Sequence, residues 1–247
     1  MTAPLFFLDD GSLADASAGS TVVLAGPEGR HAATVRRIGA GESVLLADGS
    51  GRRATAVVRQ VDRAELQLVV ESVEQVPAPQ PRFVLVQALA KGDRDEQAIE
   101  AATELGVDAV VPWQAGRSIV VWRGERAAKA HRKWQSVVLA AAKQSRRATV
   151  PLVAPVADRR GVTELLGRAS LALVLHEDAD TALATVALPP DGDVLLVVGP
   201  EGGIAPDELE AFTSAGARTV RLGDTVLRSS SAGPAALAVL CAAGRWR

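Results

Sequence analysis

Val194-Leu-Leu-Val-Val-Gly199-Pro200-Glu201-Gly202-Gly203-Ile204-Ala-Pro-Asp-Glu-Leu209 is the stretch on which the fold class turns. An unbroken apolar run, without polar alternation, reads as a strand buried on both faces, as in a parallel sheet. It empties into a glycine-rich loop, and Pro206 with Asp207 and Glu208 opens a helix directly afterwards. The carboxyl ends of strands are where open α/β sheets bind ligands. Glycines there let backbone N–H and C=O groups approach a flat ligand such as adenine, and Glu201 sets a carboxylate at the strand tip. A plain strand-to-helix turn is the competing reading.

The same alternation extends in both directions. Further strands are predicted at 83–89, 109–112, 150–153, 171–175 and 219–222, and helices at 93–105, 124–144, 161–168, 206–215 and 229–243. Gly106 and Gly216 stand just past two of the helices, where glycine commonly ends one. Alternating strands and helices imply a parallel sheet covered on both faces. Residues 1–75 read differently, as short strands at 5–8, 21–25, 43–47, 54–61 and 65–73, with Asp48-Gly49 and Gly51 marking a hairpin. This predicts a small β-barrel with one helical turn near 28–37. Prolines at 77, 79 and 81 suit a stiff linker. The expected layout is therefore a β domain over 1–75, a linker over 76–82 and an α/β domain over 83–247.

With 48% hydrophobic and 23% charged residues among 247, the composition excludes disorder and collagen. Cys241 is the single cysteine, which excludes an intramolecular disulfide. The opening MTAPLFFLDDGS has no basic or long apolar region, and the apolar runs fall short of the roughly 20 residues of a membrane span. A soluble, cytoplasmic protein without membrane partners is expected. His31, His131 and His176 are widely spaced and no set has metal-ligand spacing, so no metal site is expected. No GxxxxGK[ST] phosphate loop or GxSxG elbow occurs.

The net charge is −2, yet residues 117–147 carry nine Lys/Arg against the single acid Glu125. Phosphate neutralisation is the simplest use of such a bias, and a solvated helix face the common alternative. A second glycine loop, Arg221-Leu-Gly-Asp-Thr-Val-Leu-Arg228, precedes Ser229-Ser-Ser-Ala232 and a helix. Arg228 at a helix N-terminus opposes the macrodipole, which hints at an anionic or polarised ligand; a solvent-pointing arginine is the other reading. His176-Glu177 ends another strand on the same edge, either against a ligand or as a solvated turn.

These motifs together resemble the RsmE family, bacterial methyltransferases that place a methyl on N3 of a uridine in small-subunit (16S) ribosomal RNA. The resemblance covers nearly the whole chain. It rests on Lys91-Gly-Asp-Arg94 with Ala101-Ala-Thr-Glu-Leu-Gly-Val107, on Lys143-Gln-Ser-Arg146 before Val150-Pro151, on Gly199–Gly203, and on Leu222–Arg228; in the first half, His31 to Arg37 with Gly41-Glu42 looks like the family's PUA-like RNA-binding signature. It implies a SPOUT-type α/β domain with a C-terminal trefoil knot, preceded by a PUA-like barrel and working as a homodimer. It also implies S-adenosyl-L-methionine among the loops after 171–175, 194–198 and 219–222, with Leu175, His176, Gly199, Glu201, Gly202, Leu222, Gly223 and Leu227 as contacts.

The implied partner is 16S ribosomal RNA or the 30S subunit, met by His31, Arg36, Arg37, Lys91, Arg94, Arg117, Lys143, Arg146 and Arg147. Arg228 is the candidate for stabilising charge on the uracil oxygens, and Glu201 the candidate for taking the N3 proton, unless it caps the following helix instead. The chain departs from the family pattern at Ser230, where an acidic residue is common, and at Leu5, where arginine is usual. Two rivals are a SPOUT methyltransferase acting on another RNA site and a ribosome-assembly RNA-binding protein without turnover.

Overall fold

The computed structural model describes residues 3–8 and 12–246. They fall into two units, Met1–Ala78 with Ala142–Val150, and Pro79–Ala141 with Pro151–Arg247. In the first unit, β1 (Leu5–Phe7), β2 (Thr21–Leu24), β3 (Ser43–Ala47), β4 (Arg52–Asp62) and β5 (Glu65–Gln75) hydrogen-bond in the order β1-β3-β4-β5-β2. Period-two alternation decides which side chains turn inward: Ala54, Ala56 and Val58 of β4 meet Leu66, Leu68 and Val70 of β5, with Val44, Leu46, Phe6 and Leu24 in one core. Helix α1 (Gly26–Arg30) follows β2 and widens into a π turn over His31–Val35. Its Gly29 packs so close that an added Cβ would lie 2.5 Å from the Leu24 carbonyl oxygen and closer still to that of Ala64. The sequence Gly26-Pro-Glu-Gly29 therefore has a packing reason of its own.

The hairpin predicted at Asp48 to Gly51 is present, and Asp48 Oδ1 organises it by accepting from the Ser50 N–H at 2.9 Å and the Arg52 N–H at 3.2 Å. The strand expected over 150–153 divides. Thr149 bridges to Gly49 and Ser50, and the Val150 N–H donates to Gly49 O at 3.0 Å. Pro151 has no N–H to give, so only β8 (Leu152–Val153) joins the second sheet. Residues 142–150 thus group with the first unit, within the stretch 83–247 expected as one domain.

The second unit holds a six-stranded parallel sheet in the order β11-β9-β10-β6-β7-β8. Its other strands are β6 (Arg82–Ala88), β7 (Ala109–Trp113), β9 (Leu171–Leu175), β10 (Asp193–Val198) and β11 (Arg218–Val220). Val84, Val86 and Ala88 face a core shared with Val162 and Leu166 of α4 (Arg159–Leu166) and Phe212 of α5 (Pro206–Ser214). The opposite face carries α2 (Arg94–Leu105) and α6 (Ser229–Gly244), which pack on each other and on β6. Gly233 permits that approach, since a Cβ there would stand 3.1 Å from Leu85 Cδ1. Helix α3 (Gly124–Gln144) buries Trp134, which meets Trp122 edge to face at 5.4 Å between ring centroids. A 3-10 turn over Leu183–Thr185 was not signalled by periodicity. No helix among the described residues is long and apolar enough to cross a membrane.

The end of α6 is pinned by Arg245, a largely buried cation with four separate partners. Its guanidinium donates to Gly106 O at 2.5 Å and Pro81 O at 2.6 Å, pairs with Asp108, and lies 4.1 Å from the Phe83 ring centre. Asp108 Oδ2 also accepts the Phe83 N–H at 2.7 Å, so one carboxylate holds the start of β6 and the last turn of α6.

Candidate functional site

Strands β11, β9 and β10 are adjacent and parallel, so their carboxyl ends open side by side into the loops 176–182, 199–205 and 221–228. The first and third loops are joined by backbone bonds: His176 N–H to Val220 O at 3.0 Å, Arg221 N–H to Thr181 O at 2.9 Å and Leu183 N–H to Arg221 O at 2.8 Å. Leu175, His176, Leu222, Gly223 and Leu227 lie on these two loops or at their roots. Gly199, Glu201 and Gly202 lie on the second.

That second loop is a tight turn closed by Gly203 N–H to Pro200 O at 2.9 Å, with Gly203 at φ +73°. Two of its glycines answer to packing. A Cβ on Gly199 would lie 2.7 Å from Ile204 Cγ1, and one on Gly202 would lie 3.3 Å from Arg117 Cβ. Arg117, on the connection after β7, donates from Nη1 to Gly202 O at 3.0 Å, and Arg94, at the start of α2, donates from Nη1 to Glu201 Oε1 at 2.8 Å. Both arginines, expected at RNA, are therefore brought to the glycine loop. Lys91 stays exposed nearby on the connection from β6.

Burial opposes ionisation of Glu201, but its own N–H, the Arg94 guanidinium and the Lys91 N–H outweigh it and hold the carboxyl below the ordinary value. A group so depressed keeps its charge down to acid pH, and the Arg94 link is lost only as pH falls through the lowered value. Asp95, in the first turn of α2, behaves oppositely: burial pushes its carboxyl up against hydrogen bonds from the Ala90 and Glu96 N–H groups.

Arg228 is exposed in extended backbone just before α6, and its carbonyl accepts the N–H groups of Ser231 and Ala232, each at 2.9 Å. Among the described residues its side chain has no acidic partner. Ser229 follows it, 7% exposed, with its Oγ lacking a hydrogen-bond partner. Ser230 is partly buried in the first turn of α6.

Of the residues expected at RNA in the first unit, Arg36, Arg37 and Arg146 are exposed, and Arg37 and Arg146 adopt positive φ. His31 is half-buried, edge-on to Phe6 at 6.3 Å, and borders a cavity of about 370 Å³ with Pro27, Arg30 and Thr34. Arg147 is partly buried. Lys143 is engaged internally, since its Nζ lies 2.6 and 2.8 Å from the Glu28 carboxylate oxygens and 4.9 Å from the Phe6 ring centre. Its charge is thus partly neutralised inside the unit.

Sequence reasoning missed Glu208, which it took only as an acidic helix opener. Glu208 is 3% exposed; Oε2 accepts the Ala205 N–H at 3.1 Å and Oε1 the Gly116 N–H at 2.7 Å. The available signal was an N-cap alanine with glutamate three residues on, half of a capping box.

Residues 77–241 match the family model described as an RNA methyltransferase domain, and 24–71 match one described as an RNA methyltransferase PUA domain. Ribosomal RNA small subunit methyltransferase E of Mycobacterium bovis is 48% identical over all of this chain and 94% of that protein. The chain belongs to the RsmE family. Among solved structures, an RsmE protein of Neisseria gonorrhoeae bound to S-adenosyl methionine covers all of both chains at 29% identity, with a TM-score of 0.86. A putative methyltransferase of Legionella pneumophila in complex with bound SAM covers 99% of both at 28% identity, with a TM-score of 0.85. The RNA methyltransferase match embraces the parallel sheet and its three loops, and the PUA match embraces most of β3 to β5 together with α1.

Proposed function

We propose that this RsmE chain methylates N3 of a uridine in small-subunit (16S) ribosomal RNA, using S-adenosyl-L-methionine held among the loops 176–182, 199–205 and 221–228. The observation that carries the reading is the convergence of those loops at the carboxyl ends of three adjacent parallel strands. The donor set fits a nucleoside ligand: the backbone at Gly223 has open space around it, Leu175, Leu222 and Leu227 supply apolar surface, and the buried Ser229 Oγ still wants a partner. The methyl donors named with the Neisseria and Legionella proteins support the choice of cofactor.

When bound, S-adenosylmethionine supplies a methyl on a sulfonium with a good leaving group. The protein's work is then alignment and charge stabilisation. Arg228 is the group for negative charge spreading onto the uracil oxygens as N3 loses its proton. Glu201 is a poor base because Arg94 and backbone donors stabilise its ionised form; we assign it to positioning, and the proton to water at this exposed edge. Calorimetry should give one S-adenosylmethionine site per chain, and Gly202→Val should weaken it about tenfold or more by overpacking against Arg117. Unchanged affinity in that variant removes the loop from the site, and absence of uridine methylation on undermodified 30S subunits removes the activity.

RNA is engaged, on this reading, by exposed cations of the first unit, Arg36, Arg37 and Arg146 beside His31, and by Lys91 in the second. Affinity for single-stranded ribosomal RNA should fall with salt at a log–log slope of about −0.7 per phosphate neutralised. A flat salt response removes phosphate contact. The family reading further includes a cytoplasmic location, where ribosomal RNA is methylated, and a homodimer, to be seen as sedimentation at about twice the 25.6 kDa chain mass. It also includes a trefoil knot. This is supported by the path from the outermost strand β11, hydrogen-bonded along 176–183, to α6 on the opposite face near β6 and β10. An unthreaded experimental backbone trace would remove it.

A further inference from the structure

We propose that Glu208 is a positioning residue for the cofactor loop, acting through Gly116 and Arg117 on the Gly202 carbonyl. The inference rests on the cofactor reading of the 199–205 loop. Glu208 occupies the first turn of α5, the helix that follows that loop, and is almost wholly buried. A helix-capping glutamate is ordinarily at the surface and bonds one N–H of its own turn. Here Oε2 does that at Ala205, while Oε1 reaches 92 residues back to the Gly116 N–H at 2.7 Å. The backbone at Gly116 lies against the carboxylate, since a Cβ added there would stand 3.4 Å from Glu208 Oε1.

Two further bonds hold the same short connection. Ser118 Oγ donates to Leu89 O at 3.0 Å, at the end of β6, and Arg117 Nη1 donates to Gly202 O at 3.0 Å. In sheet order β6 lies between β7 and β10, so the segment after β7 spans one strand to reach the loop of the next. The carboxylate thus ties both ends of one circuit: through Ala205 it fixes where the glycine loop enters α5, and through Gly116 it fixes the backbone from which Arg117 grips that loop. A buried acceptor facing two N–H groups cannot be removed without leaving a donor unsatisfied, so the circuit has one preferred geometry.

Glu208→Gln keeps the shape but turns an amide N–H₂ toward one of the two donors. We expect it to weaken S-adenosylmethionine binding about tenfold, the scale of one buried hydrogen bond, with kcat at saturating cofactor changed less. Arg117→Ala should weaken binding similarly, and the double variant should be no worse than the weaker-binding single one, since both cut one path. Asp207→Asn, which alters the neighbouring exposed Arg159–Asp207 pair, should leave affinity unchanged. Additive losses in the double variant, or wild-type affinity in folded Glu208→Gln, overturn the proposal. Should Glu208→Gln not fold, the Arg117→Ala affinity and the exchange protection of the Gly116 amide decide it. Weakened binding with a protected amide supports it, and wild-type binding or an unprotected amide overturns it. Failure of the wild-type protein to bind S-adenosylmethionine would instead overturn the cofactor reading, and this inference with it.

Discussion

Arg228→Ala is expected to lower the rate of uridine methylation by about 10²- to 10³-fold, the range for removing one donor to a developing oxyanion. Arg228 stands exposed at the N-terminal end of the 16-residue α6, where a positive charge opposes the helix dipole. Among the described residues no carboxylate relieves that cost. On the proposed function, that cost is offset by a ligand that carries negative charge, which uracil acquires as N3 gives up its proton. The effect should fall on the chemical step, so single-turnover methylation of undermodified 30S subunits is the measurement, with calorimetry showing little change in S-adenosylmethionine affinity. Ser230→Ala should cost far less, because Ser230 has neither charge nor a place before the helix. A wild-type single-turnover rate in Arg228→Ala removes this residue from transition-state stabilisation, and no turnover by the unmutated protein favours the RNA-binding rival.

Arg245→Ala is expected to destabilise the folded chain by about 3–5 kcal/mol, the cost of leaving one member of a buried ion pair without the other. The Arg245 and Asp108 side chains are each only 11% exposed, and the arginine also satisfies the carbonyls of Gly106 and Pro81. For a chain of this size that corresponds to a melting temperature lower by roughly 6–20 °C, observable by scanning calorimetry. Asp108→Ala should show a loss of similar size, because it frees both Arg245 and the Phe83 N–H. The double variant should lose less than the sum, since each single change strands the other charge. Additivity of the two losses would show that the pair does not act as a unit.

Most elements stand within one or two residues of their expected limits, because their signals are local. Three adjacent elements supply the clearest cases: the apolar run of β10, the glycine loop after it and the proline opening α5. The strand expected over 150–153 failed for an equally local reason made decisive at long range. The Val150 N–H is taken by Gly49 O in the hairpin of the first unit, and Pro151 breaks the ladder before β8. The cations show the same limit. Arg94, Arg117 and Lys143 are all cations expected at RNA, yet the first two grip the glycine loop and the third is paired with Glu28.

By itself the sequence determined the class of sheet, the strand ends from which the candidate loops spring, and membership of a methyltransferase family, since periodicity, turn chemistry and ordered motifs are written in neighbouring residues. Only the tertiary structure decided which charges face which. Arg94 meets Glu201 across 107 residues of chain, Gly116 meets Glu208 across 92, Arg117 meets Gly202 across 85, and Lys143 meets Glu28 across 115. Such pairings depend on strand order and on the depth at which each side chain is buried. Neither leaves a periodic trace in the chain, because a single buried carboxylate is chosen by the geometry of two loops that fold together from distant segments.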